Sequence, residues 1–308
     1  MEKLHNHCRL LCTVICLAAW PAIARAHDDD DDQPATNPSS LTAGDARFGA
    51  FDLLDHRSAY FHQGFPEPFR VEDTTVDQEL RLDWQHTESR TGISNQSIAE
   101  VQQPLGIVTF EVQASYAANQ TTSTSEDDSN PSGFGSIELG ARCPVLQFVS
   151  ANKMVDNTIG LNLEVGVPSN SPISKNTEIT PGVFDDLLIG QFSVQSLIGI
   201  SSLLGSEPDE GREAIEYGVA FGYAIKHDDF PLPAIDQVTP LFELVGETAL
   251  SGPRPGQDAL TATLGIRFEF KSIGPFQPEL GLAYFFPIDQ GGREELKWGT
   301  ILSLDFDF

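Results

Sequence analysis

Alternation of apolar and polar residues is the feature that most constrains this 308-residue chain. It is clearest in residues 299–308, GTILSLDFDF, where Leu302, Leu304, Phe306 and Phe308 stand between mostly polar neighbours. Successive side chains of a β-strand point to opposite faces, so this segment would have one apolar and one acidic face. Ten residues also match the length of a tilted strand that crosses a bilayer.

The same period-two pattern recurs along most of the chain. It is found at residues 76–84, 92–104, 108–116, 137–145, 159–167, 192–200, 217–225, 242–247, 264–270, 276–286 and 299–308. Clusters of Asn, Pro and Gly, which favour turns, lie between several of these segments. The eleven alternating segments predict eleven strands, and one more strand is expected before residue 71. We therefore predict an all-β, antiparallel fold of about twelve strands, because bacterial single-chain barrels have even strand numbers.

Two architectures fit this pattern, a transmembrane β-barrel with its apolar face toward lipid and a soluble β-sandwich with its apolar faces packed inward. Aromatic residues fall at strand ends, as they do in the interfacial girdles of barrels: Trp84, Tyr116, Tyr284, Trp298 and Phe308. The polar positions also form one coherent acidic set. We therefore expect residues 71–308 to be a bacterial outer-membrane barrel in contact with lipid, with Phe306 and Phe308 as its C-terminal signal for the barrel-assembly machinery.

The N-terminus has the pattern of a cleaved signal peptide over residues 1–26. Lys3 and Arg9 precede an apolar stretch at residues 10–24, and Ala24 and Ala26 supply the small residues of the cleavage site. Cleavage would leave Cys143 as the one cysteine of the exported chain, which excludes an intrachain disulfide.

The next two segments differ in composition. Residues 27–46 contain five consecutive Asp followed by Pro, Ser, Thr and Gly, and this predicts a disordered acidic periplasmic tail. Residues 47–70 are rich in aromatic side chains without a long period. They are expected to form either a first strand or a plug at the barrel mouth.

Charge gives the first indication of function. The net charge is −27 at pH 7, which disfavours nucleic acid as a partner. If the apolar face meets lipid, the polar face lines the lumen. The predicted lumen-lining residues that set charge preference are Glu79, Arg81, Asp83, Glu111, Glu138, Arg142, Glu164, Glu243, Glu247, Arg267, Glu269, Glu279, Asp305 and Asp307. Carboxylates outnumber guanidinium groups there, so we expect a hydrated lumen that prefers cations. The alternative is an ion-pair network that fills the lumen and stiffens the barrel.

Enzyme and metal motifs are weak in this sequence. His86 lies at a strand end, where a rim histidine is expected rather than the base of a membrane lipid hydrolase. No HExxH motif, phosphate loop or paired-cysteine spacing occurs. The chain is therefore not expected to be an enzyme or to carry a metal or cofactor.

Several strand-embedded stretches resemble a known family. They are EPFRVEDTTVDQELRLDW at 67–84, GFGSIELGAR at 133–142, TPLFELVGE at 239–247 and LTATLGIRF at 260–268. They are similar to the outer-membrane transporter family associated with the MetA pathway of phenol degradation. The resemblance implies a barrel with a transport role linked to aromatic compounds, and it implies no catalytic residues. The sequence departs from the family pattern at Cys143-Pro144, where the resemblance implies an uninterrupted strand.

Together these patterns predict a passive outer-membrane channel or transporter for small-molecule solutes, including hydrophobic or aromatic compounds. The alternative is a closed structural or interaction barrel that presents surface loops such as residues 119–133. A membrane lipid hydrolase is the third and weakest interpretation.

Overall fold

A computed structural model describes residues 66–71, 78–105, 108–121, 131–150, 155–169, 171–204, 213–229, 232–252 and 254–308. The strands are β1 Glu79–Glu88, β2 Gly92–Leu105, β3 Val108–Thr121, β4 Ser132–Val149, β5 Val155–Val167, β6 Thr177–Ile189, β7 Phe192–Leu204, β8 Glu213–Tyr223, β9 Ile225–Lys226, β10 Ile235–Ala249, β11 Asp258–Phe270, β12 Gln277–Pro287 and β13 Trp298–Asp307. A short helix, α1, spans Gln290–Glu295. The predicted signal peptide with Ala24 and Ala26, the acidic tail and residues 47–65 lie outside the described residues.

The sheet closes on itself. Each long strand pairs antiparallel with its neighbour in the chain, and β13 pairs with β1 from Glu79↔Asp307 to Glu88↔Trp298. The two-residue strand β9 continues the line of β8 alongside β10. The result is a closed antiparallel barrel of twelve long strands, which confirms the predicted fold class. Closure leaves no edge strand with unpaired backbone groups.

The two ends of the barrel differ in their connections. At one end, five of the six connections span eight to ten residues, and we call it the loop end. At the other end, which holds Glu79 and Asp307, connections such as 106–107 and 190–191 are short. We call this the terminal end. Outer-membrane barrels have short periplasmic turns and longer extracellular loops, so the terminal end corresponds to the periplasmic side.

The barrel has the burial pattern of a membrane protein. Large apolar side chains alternate along the strands on the exposed outer face, among them Leu161, Leu163, Ile198, Leu264 and Leu282. Charged and polar side chains between them are buried inside, with Arg142 and Arg267 each 1% exposed. A soluble sandwich would show the reverse. The outer face therefore fits the hydrocarbon of a membrane, as predicted for an outer-membrane protein. No helix in the described part of the chain is long and apolar enough to cross a bilayer.

Aromatic rings mark both ends of the apolar outer face. Toward the loop end, His86 lies 6.0 Å from Trp84 and 5.2 Å from Trp298, measured between ring centroids. At the terminal end, the rings of Phe276 and Phe308 meet edge to face at 5.7 Å. Such rings lie where the hydrocarbon meets the headgroups.

The structure reaches twelve strands by a different route from the sequence prediction. The strand that the periodicity missed is β6, and no strand occurs at residues 66–71. Cys143-Pro144 does not interrupt β4, because a β-bulge between Pro144 and Leu146 shifts the register and the strand continues to Val149. A bulge accommodates the proline, which lacks a backbone N–H for the ladder.

Candidate solute pathway: the barrel lumen

The predicted lumen residues differ in their exposure to water. Eight of them are buried: Glu79, Arg81, Asp83, Glu111, Arg142, Glu243, Arg267 and Asp305. Glu138, Glu164, Glu269 and Glu279 are partly buried, whereas Glu247 and Asp307 are exposed. Glu247 lies near the end of β10 at the loop end, and Asp307 ends β13 at the terminal end. The two residues therefore lie near opposite mouths of the barrel. Their role in charge selectivity stays a prediction.

A segment that precedes the first strand lies inside the barrel. We call residues 66–71, PEPFRV, the lumen segment. Its backbone is held by Glu243 of β10, whose side chain is fully buried. Glu243 Oε1 accepts from the N–H of Phe69 at 2.6 Å, and Oε2 accepts from Arg70 at 2.9 Å and from Val71 at 3.3 Å. One carboxylate thus pairs three buried donors that no strand partner satisfies.

Two arginines of the wall bind the other side of this segment. Glu67 bridges them, with its Oε1 2.6 Å from Arg81 Nη1 and its Oε2 3.3 Å from Arg267 Nη1. The Pro68 carbonyl accepts from Arg267 Nη2 at 3.0 Å, and the Phe69 carbonyl accepts from Arg81 Nη2 at 3.1 Å. These contacts join the segment to strands β1 and β11, which are far apart in sequence.

Acidic residues of the wall complete the charge balance of this network. Arg81 Nε lies 2.9 Å from Asp83, and Arg267 forms ion pairs with Asp305 and Glu279. Ser303 Oγ donates to Asp83 at 2.5 Å. Buried charges persist only when paired in this manner. The part of the wall made by β11–β13 and β1 therefore carries an ion-pair network, while the choice between a hydrated and a filled lumen stays a prediction.

Glycines in the wall make room for the lumen segment. A Cβ at Gly265 would come within 2.3 Å of the Phe69 ring, and one at Gly281 within 2.6 Å. A Cβ at Gly222 would lie 2.7 Å from Pro66 and 2.6 Å from Ser193 Oγ of the wall, and one at Gly218 would lie 3.0 Å from Val71. The space left by small inward residues at these four positions is thus occupied by the chain itself.

An apolar cluster surrounds the Phe69 ring. Its buried members are Phe69, Leu241, Ala283, Phe285, Leu296 and Ile301. Arg267 lies over the Phe69 ring at 4.5 Å, and Arg70 over the Phe285 ring at 4.6 Å. Leu296 comes from the loop that carries α1, so the cluster also joins this loop to the lumen segment. Together the apolar and ionic contacts fix the segment on both sides.

A second charged group lies on strands β2 to β5. Arg142 forms an ion pair with Glu111, and its Nη1 donates to Gln102 at 3.2 Å. Glu138 accepts from Gln113, and Glu164 accepts from Asn162. This group links strands β2, β3 and β4 to one another. It stiffens the wall on its own side.

The loop-end mouth is acidic. Glu247 and Glu216 are direct cross-strand neighbours on β10 and β8. Glu178 of β6 and Glu295 of α1 lie close enough to this pair for electrostatic repulsion. At the outer edge of the same end, a hydrogen bond from Arg254 holds the pKa of Glu294 below its ordinary value. Four carboxylates from four elements thus face one opening.

One group of carboxylates has the spacing of a cation site. Glu67, Glu79 and Asp305 each bring an oxygen within 4.8 Å of the others. Glu67 and Asp305 are both paired with Arg267, so a guanidinium already supplies the positive charge. The expectation of no metal and no cofactor stays a prediction.

His86 does not have the surroundings of a catalytic base. Its Nδ1 lies 2.9 Å from Asn95 Oδ1, and its ring lies between Trp84 and Trp298 on the outer face. A hydrolase would pair the imidazole with a serine hydroxyl. The histidine is therefore part of the aromatic belt.

Sequence reasoning missed several lumen residues. Glu67 was assigned to the aromatic segment, and Gln102, Asp186 and Gln195 belong to no predicted set although all are buried inside. The available signal for Glu67 was the motif Pro-Glu-Pro-Phe-Arg, a charged and apolar run placed just before the first strand.

No known family model matches this sequence, and neither does any curated protein. Among solved structures, the chain is similar to an outer membrane channel from Pseudomonas putida F1, at 13% identity over 79% of this chain and 100% of that chain, with a TM-score of 0.51. It is also similar to the NanC porin, at 9% identity over 74% of this chain and 98% of that chain, with a TM-score of 0.43.

The first of these likenesses shows the fold. It agrees with the coarse implication of the sequence resemblance, an outer-membrane barrel, while the link to the phenol-degradation family stays a prediction. The chain has the fold of an outer-membrane channel: a closed, antiparallel, twelve-stranded β-barrel.

Proposed function

We propose that the chain is a passive outer-membrane channel for small solutes that is occluded at rest by its own lumen segment. The observation that carries the proposal is the attachment of Phe69, Arg70 and Val71 to Glu243 inside a closed barrel. A segment paired as a strand would be held by a continuous ladder of backbone hydrogen bonds, whereas this one is held by side-chain hydrogen bonds and ion pairs, which can be broken and remade singly. A barrel that only needed filling could do so with side chains of its own wall.

The charge of the loop-end mouth supports a preference for cations. Glu178, Glu216, Glu247 and Glu295 come close together there, and rings of carboxylate attract cations and repel anions. Four deeper carboxylates are paired with arginine and contribute less to the field: Asp83, Glu111, Glu279 and Asp305. The selectivity would therefore be set at the mouth rather than along the whole lumen. An aromatic or hydrophobic cargo rests on the sequence resemblance alone.

Planar bilayers test both parts of this proposal. The purified protein is expected to conduct in KCl, and the reversal potential in a KCl gradient should show that K⁺ is preferred over Cl⁻. A triple variant, Glu178→Gln/Glu216→Gln/Glu247→Gln, should lose most of that preference while it still conducts. Glu269→Gln, near the terminal end, is the matched control and should change selectivity little. Absence of conductance, together with unchanged solute uptake in a deletion strain, would refute transport.

The packed interior also favours a second candidate function, a closed structural or interaction barrel. The observation behind it is the network around Arg81 and Arg267, which together with the apolar cluster fills one side of the lumen. In that case the loops would carry the function. Persistent absence of conductance, with loss of binding to a partner after deletion of residues 122–130, would favour this candidate over the channel.

A further inference from the structure

A row of polar side chains crosses the lumen wall on the side opposite the arginine network. It consists of Gln147, Thr158, Asp186 and Gln195, which are direct cross-strand neighbours on β4, β5, β6 and β7. We call it the polar row. All four residues are buried, and Gln147 and Gln195 are each 1% exposed. Cross-strand neighbours on one face are about 5 Å apart, so the row offers a hydrogen-bonding group at regular intervals.

Three members of the polar row have polar atoms without a hydrogen-bond partner. Among the described residues, nothing pairs with Gln147 Oε1, Thr158 Oγ1 or Gln195 Nε2. The Gln147 amide nitrogen donates to Asp156, so only its oxygen is left over. An acceptor, a hydroxyl and a donor thus lack a partner on the inward face of the wall. Natural proteins rarely leave such groups buried and unpaired, and each one calls for a functional reason.

The position of the polar row connects it to the lumen segment. Gln195 is followed in the same circumferential row by Ala220 and then by Glu243, the residue that holds the segment. Pro66 lies over Gly222 beside Ser193, which is two residues from Gln195 on the same face of β7. If the lumen segment leaves Glu243, it uncovers the end of the polar row at Gln195.

The chemistry of the polar row defines the class of ligand. The row offers amide and hydroxyl groups and one carboxylate, Asp186, and the ring of Phe184 lies on the same inward face of β6, two residues from Asp186. A sugar ring has hydroxyls at its edge and an apolar C–H face, which fits polar groups beside an aromatic ring. An anion would be repelled by Asp186, and a purely apolar solute would leave the row unpaired.

We propose that the polar row is a binding site for a neutral polyhydroxylated ring solute, and that it is exposed when the lumen segment is released. This inference rests on the proposed channel function, because it names a solute class for the same lumen. Among the described residues, three polar atoms of the row lack a hydrogen-bond partner while the segment occupies the lumen, and a bound solute supplies these partners. Water alone in the row is the competing explanation, and the test separates the two.

The test uses saturation-transfer NMR with D-glucose as the probe. It is carried out on the detergent-solubilised full chain and on Glu243→Gln, in which the lumen segment is weakened. Glucose is expected to receive saturation from Glu243→Gln more strongly than from the unaltered protein. Adding Thr158→Val and Gln195→Leu, which remove two hydrogen-bonding groups at nearly constant volume, should weaken glucose binding by about tenfold or more.

Controls make each outcome decisive. Thr180→Val, the same change at a buried inward position of the neighbouring strand β6, should leave glucose binding unchanged. Heat-modifiable migration on gels confirms that each variant is folded, and Thr158→Val alone replaces the double change if that variant does not fold. The proposal is overturned if glucose receives no saturation from either the unaltered protein or Glu243→Gln. It is also overturned if the row substitutions leave saturation transfer unchanged, and in both cases water is the occupant of the row. KCl conductance of the same preparations separates the proposed binding site from the proposed channel function. Conductance without glucose binding refutes only the binding site on the polar row. Glucose binding without conductance refutes only the channel function.

Discussion

Glu243 accepts the backbone N–H of Phe69 at 2.6 Å, although 174 positions of sequence separate the two residues. This bond joins the centre of β10 to a segment that precedes the first strand, and it lies inside the barrel. The same carboxylate also pairs the N–H groups of Arg70 and Val71. A single side chain thus pairs three successive backbone N–H groups of the lumen segment.

Replacing Glu243 by glutamine should release the lumen segment. Glutamine keeps the shape of the glutamate side chain but has only one acceptor oxygen. Its NH₂ group would face backbone N–H groups, which are also donors. Hydrogen bonds to a charged group contribute about 1.5–3 kcal/mol each, so the closed state should lose a large part of its stability. The open probability in single-channel recordings should rise about tenfold or more. Glu269→Gln, which alters a wall carboxylate that accepts from Gln277, should not change it. Equal open probabilities for the two variants would show that Glu243 does not hold the segment.

The contact of the Phe69 ring with Gly265 and Gly281 predicts that substitutions of Phe69 and Gly265 have non-additive effects on conductance. Gly265→Ala places a methyl group within 2.3 Å of the Phe69 ring and should displace the lumen segment. In a Phe69→Ala background the ring is gone, so the same change should have little further effect on conductance. Gly166→Ala, where the new Cβ meets its nearest neighbour at 3.5 Å, serves as the control. Additive effects of Gly265→Ala and Phe69→Ala would argue against direct contact.

Arg267 should be far more important for stability than a surface arginine. Arg267→Met would leave Asp305 buried and Glu279 partly buried without their ion-pair partner, and it would leave Glu67 with Arg81 alone. Removing one partner of a buried pair typically costs about 3–5 kcal/mol. Arg254→Met breaks an exposed pair with Glu294, which contributes about 0–1 kcal/mol. Urea unfolding in detergent micelles, followed by the gel shift of the folded barrel, measures both. Similar midpoints for the two variants would contradict the network.

The apolar outer face predicts a dependence on depth in the membrane. Leu161 lies at the middle of β5 and is 55% exposed, whereas Val167 ends the same strand. Arginine at the bilayer midplane of a barrel costs about 2–4 kcal/mol, and near the interface about 0–1 kcal/mol. Leu161→Arg should therefore destabilise the barrel in lipid vesicles much more than Val167→Arg. If the order were reversed, the outer face would not be the one that meets lipid.

The sequence predicted the wall of the barrel because alternation is a local property. Leu302 and Leu304 on one face, with Ser303 and Asp305 on the other, need only the geometry of a single strand. The strand β6 escaped detection for an equally local reason. Pro181-Gly182 interrupts its pattern, and Asp185 lies on the outer face, where Asn157 donates to it at 2.5 Å. A polar residue on the lipid side, paired with a neighbouring strand, breaks the alternation.

The lumen segment could not be placed from the sequence. Its partners Glu243 and Arg267 lie on β10 and β11, and no periodicity relates them to Phe69 or Pro68. The sequence showed that the polar face is acidic, but not which carboxylates are paired and which are exposed. Asp305 is bound to Arg267, whereas Glu247 lies exposed at the mouth. Only the closed barrel brings such residues together or separates them.

A reversible crosslink between the lumen segment and the wall tests the central claim most directly. An added Cβ at Gly218 would lie 3.6 Å from the Cβ of Val71, which is within the range for a disulfide. The variant Val71→Cys/Gly218→Cys is made together with Glu243→Gln, and with Cys143→Ser to remove the one thiol that cleavage of the predicted signal peptide would leave. If the lumen segment occludes a channel, oxidised protein should be nearly non-conducting in planar bilayers, and reduction should restore the high conductance of Glu243→Gln. Equal conductance before and after reduction of a disulfide shown to have formed would contradict the account.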